Sequence, residues 1–335
     1  MTRIFTEGAE MQDITFLTDN TNYVVSNSDP SPLYSDYYFT GTQTRTVFSP
    51  PVPEFYFRYR IYYTDWYNGN GNFCLPSFGQ NGGYGMSISP TGGGYLYFRR
   101  QNSTILVTST NPLLENNKWY LFEVYYLVHD TTGRLVLYVD GINAFDFTGN
   151  TSYGMTNVDT LTFNGVTTCL DDMALNDTNG SEDNSWCGDG VIKLISPSGS
   201  GTVNSWLNSG SVSGSSNYLY VDDYPYDSDS TYIYSSASEV GAKDQYVMSN
   251  LYLPEGVDIT HVWAEARAKK TSSEGGTTIQ LGLMASGYSA STSGSIPLFT
   301  GAYTRTIGKY YRNNPWTSAS WSGADIDLLE GVIEI

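Results

Sequence analysis

Apolar and polar residues alternate with a period of two in many short stretches of this chain, the pattern typical of β-strands. In the first half these stretches are residues 55–63, 94–99, 119–128, 134–140, 144–147, 160–163 and 169–175. Glycine- and asparagine-rich turn sequences separate several of them, and Asp140-Gly141 predicts a tight hairpin. Many short strands joined by turns predict an all-β fold, either a sandwich or a jelly roll.

The composition shifts near residue 176, where a polar and acidic segment, residues 176–190, begins. A Ser/Gly-rich stretch follows at 196–217, but it contains Trp206 and Leu207, which a flexible linker would lack. Strand patterns return at 246–248, 258–268, 277–284 and 331–335, and one short helix is predicted near 322–330. We therefore predict two tandem β-sandwich or jelly-roll domains, residues 1–190 and 191–335.

Charge and composition narrow the function. The chain has 335 residues, with 34 acidic against 16 basic side chains and a net charge of −18. Such a surface repels nucleic acid and anionic membranes, so neither is an expected partner. The sequence has no apolar run long enough to insert in a membrane. Its N-terminus lacks an apolar signal core, which predicts synthesis in a cytoplasm.

Several segments of the first half carry a resemblance to a known fold family. They are Thr6–Glu10, the Lys118-Trp119-Tyr120 strand start, the Gly133–Gly141 hairpin and the Leu170–Leu175 strand. Together they resemble the laminin-G-like, concanavalin A-like jelly roll over about residues 1–176. In that family such strands form a concave sheet, and the closing strand pairs with the first one.

The junction carries a narrower resemblance. Asn176–Gly180 and Asn184–Gly190, with Val240–Tyr246 and Ala264–Lys270 later, resemble uncharacterised virion proteins of tailed bacteriophages. The resemblance implies a structural protein on the virion surface, decorating the head or attached to the tail and made in the host cytoplasm. Its expected partners are the major capsid or tail proteins, and open sheet edges predict a homo-oligomer, a trimer or a lattice.

Two other functions stay open. A lectin-like fold with Tyr and Trp in polar segments suggests a glycan-binding module for host attachment. A polysaccharide-degrading enzyme needs two carboxylates facing one cleft. Glucanases of this fold family place them as Glu-x-Asp-x-x-Glu, a spacing absent here, and Glu123 stands alone in its strand. We therefore predict that the chain is not an enzyme.

Acidic residues near the junction suggest a metal site, although no cofactor is otherwise expected. Oxygen ligands from a loop suit Ca²⁺, and Asp and Asn are also ordinary turn residues. The candidate calcium ligands are Asp171, Asp172, Asp177 and Asp183. Cys169 and Cys187 flank the same region. A disulfide between them is one alternative, and two free thiols are the default expectation for cytoplasmic assembly.

Aromatic residues in polar segments are the candidates for an interface or a glycan site. Their flat apolar rings carry a polar group at the edge, which suits both protein contact and sugar stacking. The residues selected are Trp66, Tyr67, Tyr84, Tyr224 and Tyr226.

Overall fold

The structure, a computed structural model, divides the chain into two compact units, Met1–Lys193 and Leu194–Ile335. It describes residues 3–7, 24–26, 38–63, 74–81, 83–91, 93–101, 103–212, 214–223, 226–227, 229–235, 239–253, 256–271 and 278–335. Strands dominate both units, so the all-β prediction is confirmed. In the described part of the chain, no helix is long and apolar enough to cross a membrane.

Twelve strands form the first unit within its described residues. They are β1 (Arg3–Glu7), β2 (Val24–Ser26), β3 (Tyr38–Val52), β4 (Glu54–Tyr63), β5 (Cys74–Gln80), β6 (Gly83–Pro90), β7 (Leu96–Arg100), β8 (Ile105–Thr108), β9 (Lys118–Leu127), β10 (Gly133–Val139), β11 (Ile142–Gly149) and β12 (Val158–Asp177).

The long strand β12 joins two layers of this unit. Its first part, from residue 158 to 164, pairs with β3 and β5, and β6, β7 and β8 follow beyond β5. Its last part, from residue 169 to 177, pairs with β4 and β1, and β9, β10 and β11 follow beyond β4. Phe98 on β7 and Phe147 on β11 have ring centroids 5.9 Å apart although their strands are far apart in the strand order. The sheet therefore folds over itself into a sandwich.

Alternation of side chains builds the core between the layers. On β4, Phe55, Phe57 and Tyr59 are buried, while the residues between them face outward. Phe78 of β5 stacks on Tyr126 of β9, with ring centroids 4.6 Å apart. Because successive strand residues point to opposite faces, one face of each layer fills the core and the other is left for different contacts.

The predicted hairpin at Asp140-Gly141 is confirmed. Both residues have positive φ, 47° and 75°, as a two-residue hairpin turn of this handedness requires. Val139 pairs with Ile142 across the turn. The Asp140 carboxylate also accepts a hydrogen bond from the Leu121 amide, 2.8 Å away, so the turn is fastened to the neighbouring strand β9.

The second unit is built around a six-stranded antiparallel sheet, in which β13-β16-β22-β18-β19 follow in order and β20 also pairs with β18, with two small ribbons, β14-β15 and β17-β21. Its strands are β13 (Pro197–Asn204), β14 (Leu207–Asn208), β15 (Ile233–Tyr234), β16 (Lys243–Met248), β17 (Glu265–Ala268), β18 (Thr278–Ala285), β19 (Ser291–Thr292), β20 (Ile296–Pro297), β21 (Thr304–Ile307) and β22 (Leu329–Glu334). A 3₁₀ turn covers Asn217–Tyr220, and the helix α1 covers Gly323–Ile326.

The Ser/Gly-rich stretch 196–217 is not a flexible linker, as its Trp206 indicated: it contains strand β13, and Trp206 is buried in the core. Two predictions for this unit need correction. The strand predicted over 258–268 is regular only at Glu265–Ala268, because Ile259 and Val262 make isolated bridges. The helix predicted near 322–330 ends at Ile326, since Leu329 already belongs to β22.

Candidate functional site

The outer face of the first unit is the side of β11, β10, β9, β4 and β12 that points away from the core. Strand register sets its residues in rows across the sheet. One row contains Asp146, Val136, Tyr125, Tyr56 and Asn176, each opposite the next. With strands about 4.8 Å apart, this row is about 19 Å long. Val136 and Asn176 are buried, so the part of this row that is open to solvent is formed by Asp146, Tyr125 and Tyr56.

The junction segment, residues 184–192, lies on part of this outer face. The Ser185 carbonyl oxygen accepts a hydrogen bond from the Asn176 side chain at 2.9 Å. Asp189 forms an ion pair with Arg60 at 2.5 Å. The Ile192 amide donates to the carboxylate of Asp172 at 2.7 Å. The chain that leaves the sandwich is thus fastened across its outer sheet before the second unit begins.

Arg58 and Glu123 lie beneath the junction segment and directly opposite each other on β4 and β9. Arg58 is 6% exposed, and its guanidinium donates to the backbone oxygens of Asp172 and Gly188, both at 3.1 Å. Burial raises the pKa of Glu123, which a hydrogen bond with the Gly188 backbone and the charge of Arg58 partly offset. Arg58 is therefore buried and Glu123 half-buried, and both are held mainly by backbone groups, which is typical of a structural role.

Asp172 is the second buried carboxylate under the junction segment. Its positive φ of 50° falls where the pairing of β12 with β4 is interrupted by a bulge. Its carboxylate lies 3.3 Å from Arg60, and burial raises its pKa despite the neighbouring cations Arg58 and Arg60. The bulge thus points a carboxylate at the cations of β4.

Beside the junction segment lies a group of four rings that we call the aromatic shelf: Tyr56, Tyr125, Tyr138 and Trp186. The ring centroids of Tyr56 and Tyr125 are 4.9 Å apart. The ring centroid of Trp186 lies 5.2 Å from that of Tyr56 and 5.2 Å from that of Tyr138. Trp186 is 37% exposed, and the three tyrosines are half-buried. The shelf is therefore open to solvent.

Charged groups border the aromatic shelf. Arg134 donates to both carboxylate oxygens of Asp146, at 2.8 and 2.6 Å, and about half of each side chain is exposed. The hydrogen bond from Arg134 lowers the pKa of Asp146. On the other side, the Tyr125 hydroxyl donates to Glu54 at 2.5 Å, which fixes the ring orientation. The shelf thus combines apolar ring faces with fixed hydrogen-bonding groups.

The four predicted calcium ligands make contacts with different partners. Asp171 accepts from the amide of Asp172, which itself faces Arg60. Asp177 accepts two hydrogen bonds from Asn179, at 3.1 and 2.9 Å, as in an ordinary Asx turn, and Asp183 lies in the following loop. Among the residues that the structure describes, no group of three acidic, histidine or cysteine side chains could hold a metal ion.

Of the predicted aromatic residues, only Tyr226 has a described side chain. It is 38% exposed and lies under the guanidinium of Arg267, 3.3 Å from the ring centroid. Tyr84 belongs to β6, with its backbone opposite Gly79. Trp66, Tyr67 and Tyr224 lie outside the described residues. Cys169 and Cys187 are not joined by a disulfide, and the thiol of Cys187 donates to the carbonyl oxygens of Tyr56 and Ala174.

The residues of the aromatic shelf were not selected from the sequence. Tyr56 and Tyr138 fall on the more polar side of strands whose other side is apolar, a signal that period-two alternation contains, whereas Tyr125 belongs to the stretch 119–128, which is apolar on both faces. Trp186 belongs to the junction motif Asn184–Gly190. What the sequence does not show is that the junction motif folds back onto those three strands.

Comparison with known proteins bears on the fold. No family model and no curated protein matches this sequence. Among solved structures, an endo-β-1,4-glucuronan lyase from the fungus Trichoderma reesei aligns at 15% identity and a TM-score of 0.40, over 53% of this chain and 96% of its own. A carbohydrate-binding module, CBM66 from Bacillus subtilis, aligns at 14% identity and 0.34, over 49% and 98%. The alginate lyase Aly36B aligns at 13% and 0.32, over 44% and 84%.

These similarities concern the fold class alone. It is one that carbohydrate-binding and carbohydrate-cleaving proteins use. The prediction that this chain is not an enzyme needs correction, because the structures similar in fold class include two carbohydrate lyases.

Proposed function

We propose that this protein binds a polysaccharide on the outer face of its first unit, with the aromatic shelf as the contact surface. The observation that carries the proposal is the set of four rings, Tyr56, Tyr125, Tyr138 and Trp186, packed together and open to solvent beside fixed charged groups. This is the glycan-binding alternative that the sequence left open.

The physical match lies in the two-sided chemistry of sugars. A sugar ring has an apolar face of C–H groups, which packs on an aromatic ring, and a rim of hydroxyls, which need hydrogen-bond partners. Arg134 and Asp146 provide a donor and an acceptor at one edge of the shelf. A binding surface for such a ligand needs both kinds of group in fixed positions, since loose side chains lose entropy on binding.

The dimensions favour a chain over a single sugar. From Asp146 to Tyr56 the row crosses four strands, about 14 Å, and the junction segment limits its far side at Asn176. A linear ligand lying along this row would contact Trp186 and two tyrosines together. An oligosaccharide segment of a polymer is therefore the expected occupant.

Affinity electrophoresis tests the proposal. The full chain is run in native gels that contain neutral polysaccharides of different linkage, and retardation measures binding. We expect retardation of the native chain by at least one polymer and loss of it in Trp186→Ala. Tyr252→Ala is the matched control, because Tyr252 is a 90% exposed ring in the second unit. No retardation by any polymer, or equal retardation of the native chain and Trp186→Ala, would contradict the proposal.

The virion location, the capsid or tail partners and the homo-oligomer stay predictions from the sequence. They are compatible with glycan binding, because a particle that displays many copies would convert weak single-site affinity into strong attachment. Mass spectrometry of purified particles tests the location separately from the binding activity.

A further inference from the structure

The edge of the aromatic shelf carries a fixed carboxylate, that of Glu54. Glu54 is the first residue of β4 and lies two residues before Tyr56, so both side chains point to the outer face. Its two oxygens accept hydrogen bonds from the hydroxyl of Tyr125, at 2.5 Å, and from the hydroxyl of Thr178, at 3.2 Å. Two donors on different strands therefore hold this carboxylate beside two rings of the shelf.

These contacts leave the charge of Glu54 unbalanced. Hydroxyl donors are uncharged, and the two oxygens of a carboxylate accept more than two hydrogen bonds. Among the ion pairs of the residues that the structure describes, none includes Glu54. Arg134 is a cation near the same rings, but it donates to both oxygens of Asp146, which balances its charge. A negative charge thus remains at the edge of the shelf.

Electrostatics place this charge within reach of the shelf. Burial raises the pKa of Tyr56, the charge of Glu54 raises it further, and Arg134 opposes the rise. The faces of tyrosine and tryptophan rings attract ammonium groups. The ring planes of Trp186 and Tyr56 meet at 64°, so the shelf presents ring faces in more than one direction. An ammonium group at this edge would therefore meet ring faces and a carboxylate together.

We propose that the polysaccharide bound by the aromatic shelf carries free amino groups, as a polymer of hexosamine units does. This inference rests on the proposed function and names the ligand class of the same site. The sugar faces would pack on Tyr56 and Tyr125, and an ammonium group would form an ion pair with Glu54. In a hexosamine the amino group is attached to the sugar ring itself, so one unit reaches a tyrosine ring and the neighbouring carboxylate.

Charge argues against the opposite ligand class. The net charge of −18 repels polymers of uronic acids and other polyanions. The shelf itself is bordered by Glu54 and by Asp146, whose partner Arg134 is already engaged. A neutral polysaccharide would use the rings and leave Glu54 without a counter-ion. A polymer with amino groups uses both the rings and the carboxylate.

The test compares two hexasaccharides with the same β-1,4-linked backbone, one of glucosamine and one of N-acetylglucosamine. Titration calorimetry of the full chain is carried out at pH 6 and physiological salt, where free amino groups are protonated and long-range attraction is screened. We expect the native chain to bind the glucosamine hexamer at least tenfold more tightly. Glu54→Gln should weaken binding of this hexamer about fivefold or more, with a smaller effect on the neutral one.

Glu182→Gln is the matched control, because it removes the same charge from an exposed loop of the same unit. It should keep the native preference for the glucosamine hexamer. A hexamer of lysine provides a second control, since it carries positive charge without sugar rings. We expect it to bind more weakly than the glucosamine hexamer.

Four results would overturn the inference: equal affinity of the native chain for the two sugar hexamers, binding of neither, tighter binding of the lysine hexamer, or equal losses in Glu54→Gln and Glu182→Gln. If Glu54→Gln fails to fold, the comparison of hexamers on the native chain decides the question. Retardation by neutral polysaccharides that Trp186→Ala abolishes would leave the proposed function standing in each of these cases, so the two failures are distinguishable.

Discussion

Arg58 and Glu123 face each other across β4 and β9 under the junction segment, whose Gly188 lies 130 residues after Arg58 in the chain. The guanidinium of Arg58 holds the backbone oxygens of Asp172 and Gly188 as well as facing this carboxylate. One side chain thus links two strands, the β12 bulge and the junction segment.

Replacing Arg58 by Ala should destabilise the first unit strongly. The change leaves the backbone oxygens of Asp172 and Gly188 without their donor, and each buried acceptor left unsatisfied costs roughly 1–3 kcal/mol. Urea unfolding followed by circular dichroism measures the loss. Arg134→Ala is the control: its exposed pair with Asp146 should contribute less than about 1 kcal/mol. Equal effects of the two variants would show that the Arg58 cluster is not structural.

Glu123 should make stability depend on pH in an unusual direction. Because burial raises its pKa, the folded protein binds this proton more tightly than the unfolded chain does. The protonated Glu123 contributes to the free energy of unfolding below the pKa of the unfolded chain, about 4.3. This contribution is lost as the pH rises through the raised pKa of the folded protein. The unfolding free energy of Glu123→Gln minus that of the native chain should therefore increase from pH 4 to pH 7.

Asp146 provides the contrast, because its pKa is lowered by Arg134. Its contribution is present above the unfolded pKa and lost as the pH falls through the folded value. The unfolding free energy of Asp146→Asn minus that of the native chain should therefore decrease from pH 4 to pH 7. The decrease should be small, because the pair of Asp146 with Arg134 is exposed. If this free-energy difference changed in the same direction with pH for Glu123→Gln and Asp146→Asn, the raised pKa of Glu123 would be refuted.

Asp244 should be the least replaceable polar residue of the second unit. It is fully buried and accepts hydrogen bonds from the Trp206 amide, the Asn217 side chain and the Tyr246 hydroxyl, at 2.7, 2.6 and 2.9 Å. Asp244→Ala leaves these donors without an acceptor and should cost at least about 2 kcal/mol. Calorimetric melting checks this, with the exposed Asp258→Ala as control; a melting temperature equal to the control would argue against the network.

The strands of the fold were predictable where alternation and turns agree. β9 and β10 follow from period-two patterns, and the Asp140-Gly141 turn follows from residues that tolerate positive φ. The boundary between units was visible because composition changes there. The strand over 258–268 was too long because its apolar alternation continues where only isolated bridges form. An alternating pattern indicates which side of an extended segment is buried, but it does not show whether that segment pairs as a regular strand.

The site was less predictable, because it depends on contacts between distant segments. The junction segment reaches Arg58, about 130 residues earlier, through backbone oxygens that leave no pattern in the sequence. Trp186 becomes part of the aromatic shelf only because that segment folds onto the outer face. Tyr226 was selected from the sequence, but its contact with Arg267, which lies 41 residues later, leaves no pattern in the sequence.

Glycan-array binding of the native chain beside Trp186→Ala and Tyr252→Ala tests the central claim most directly, because it asks for a ligand and for its contact surface in one measurement. The account predicts that the native chain and Tyr252→Ala bind the same neutral polysaccharides, and that Trp186→Ala loses them by tenfold or more while keeping its native circular dichroism. An identical profile for Trp186→Ala, or no saturable binding by the native chain, would contradict it.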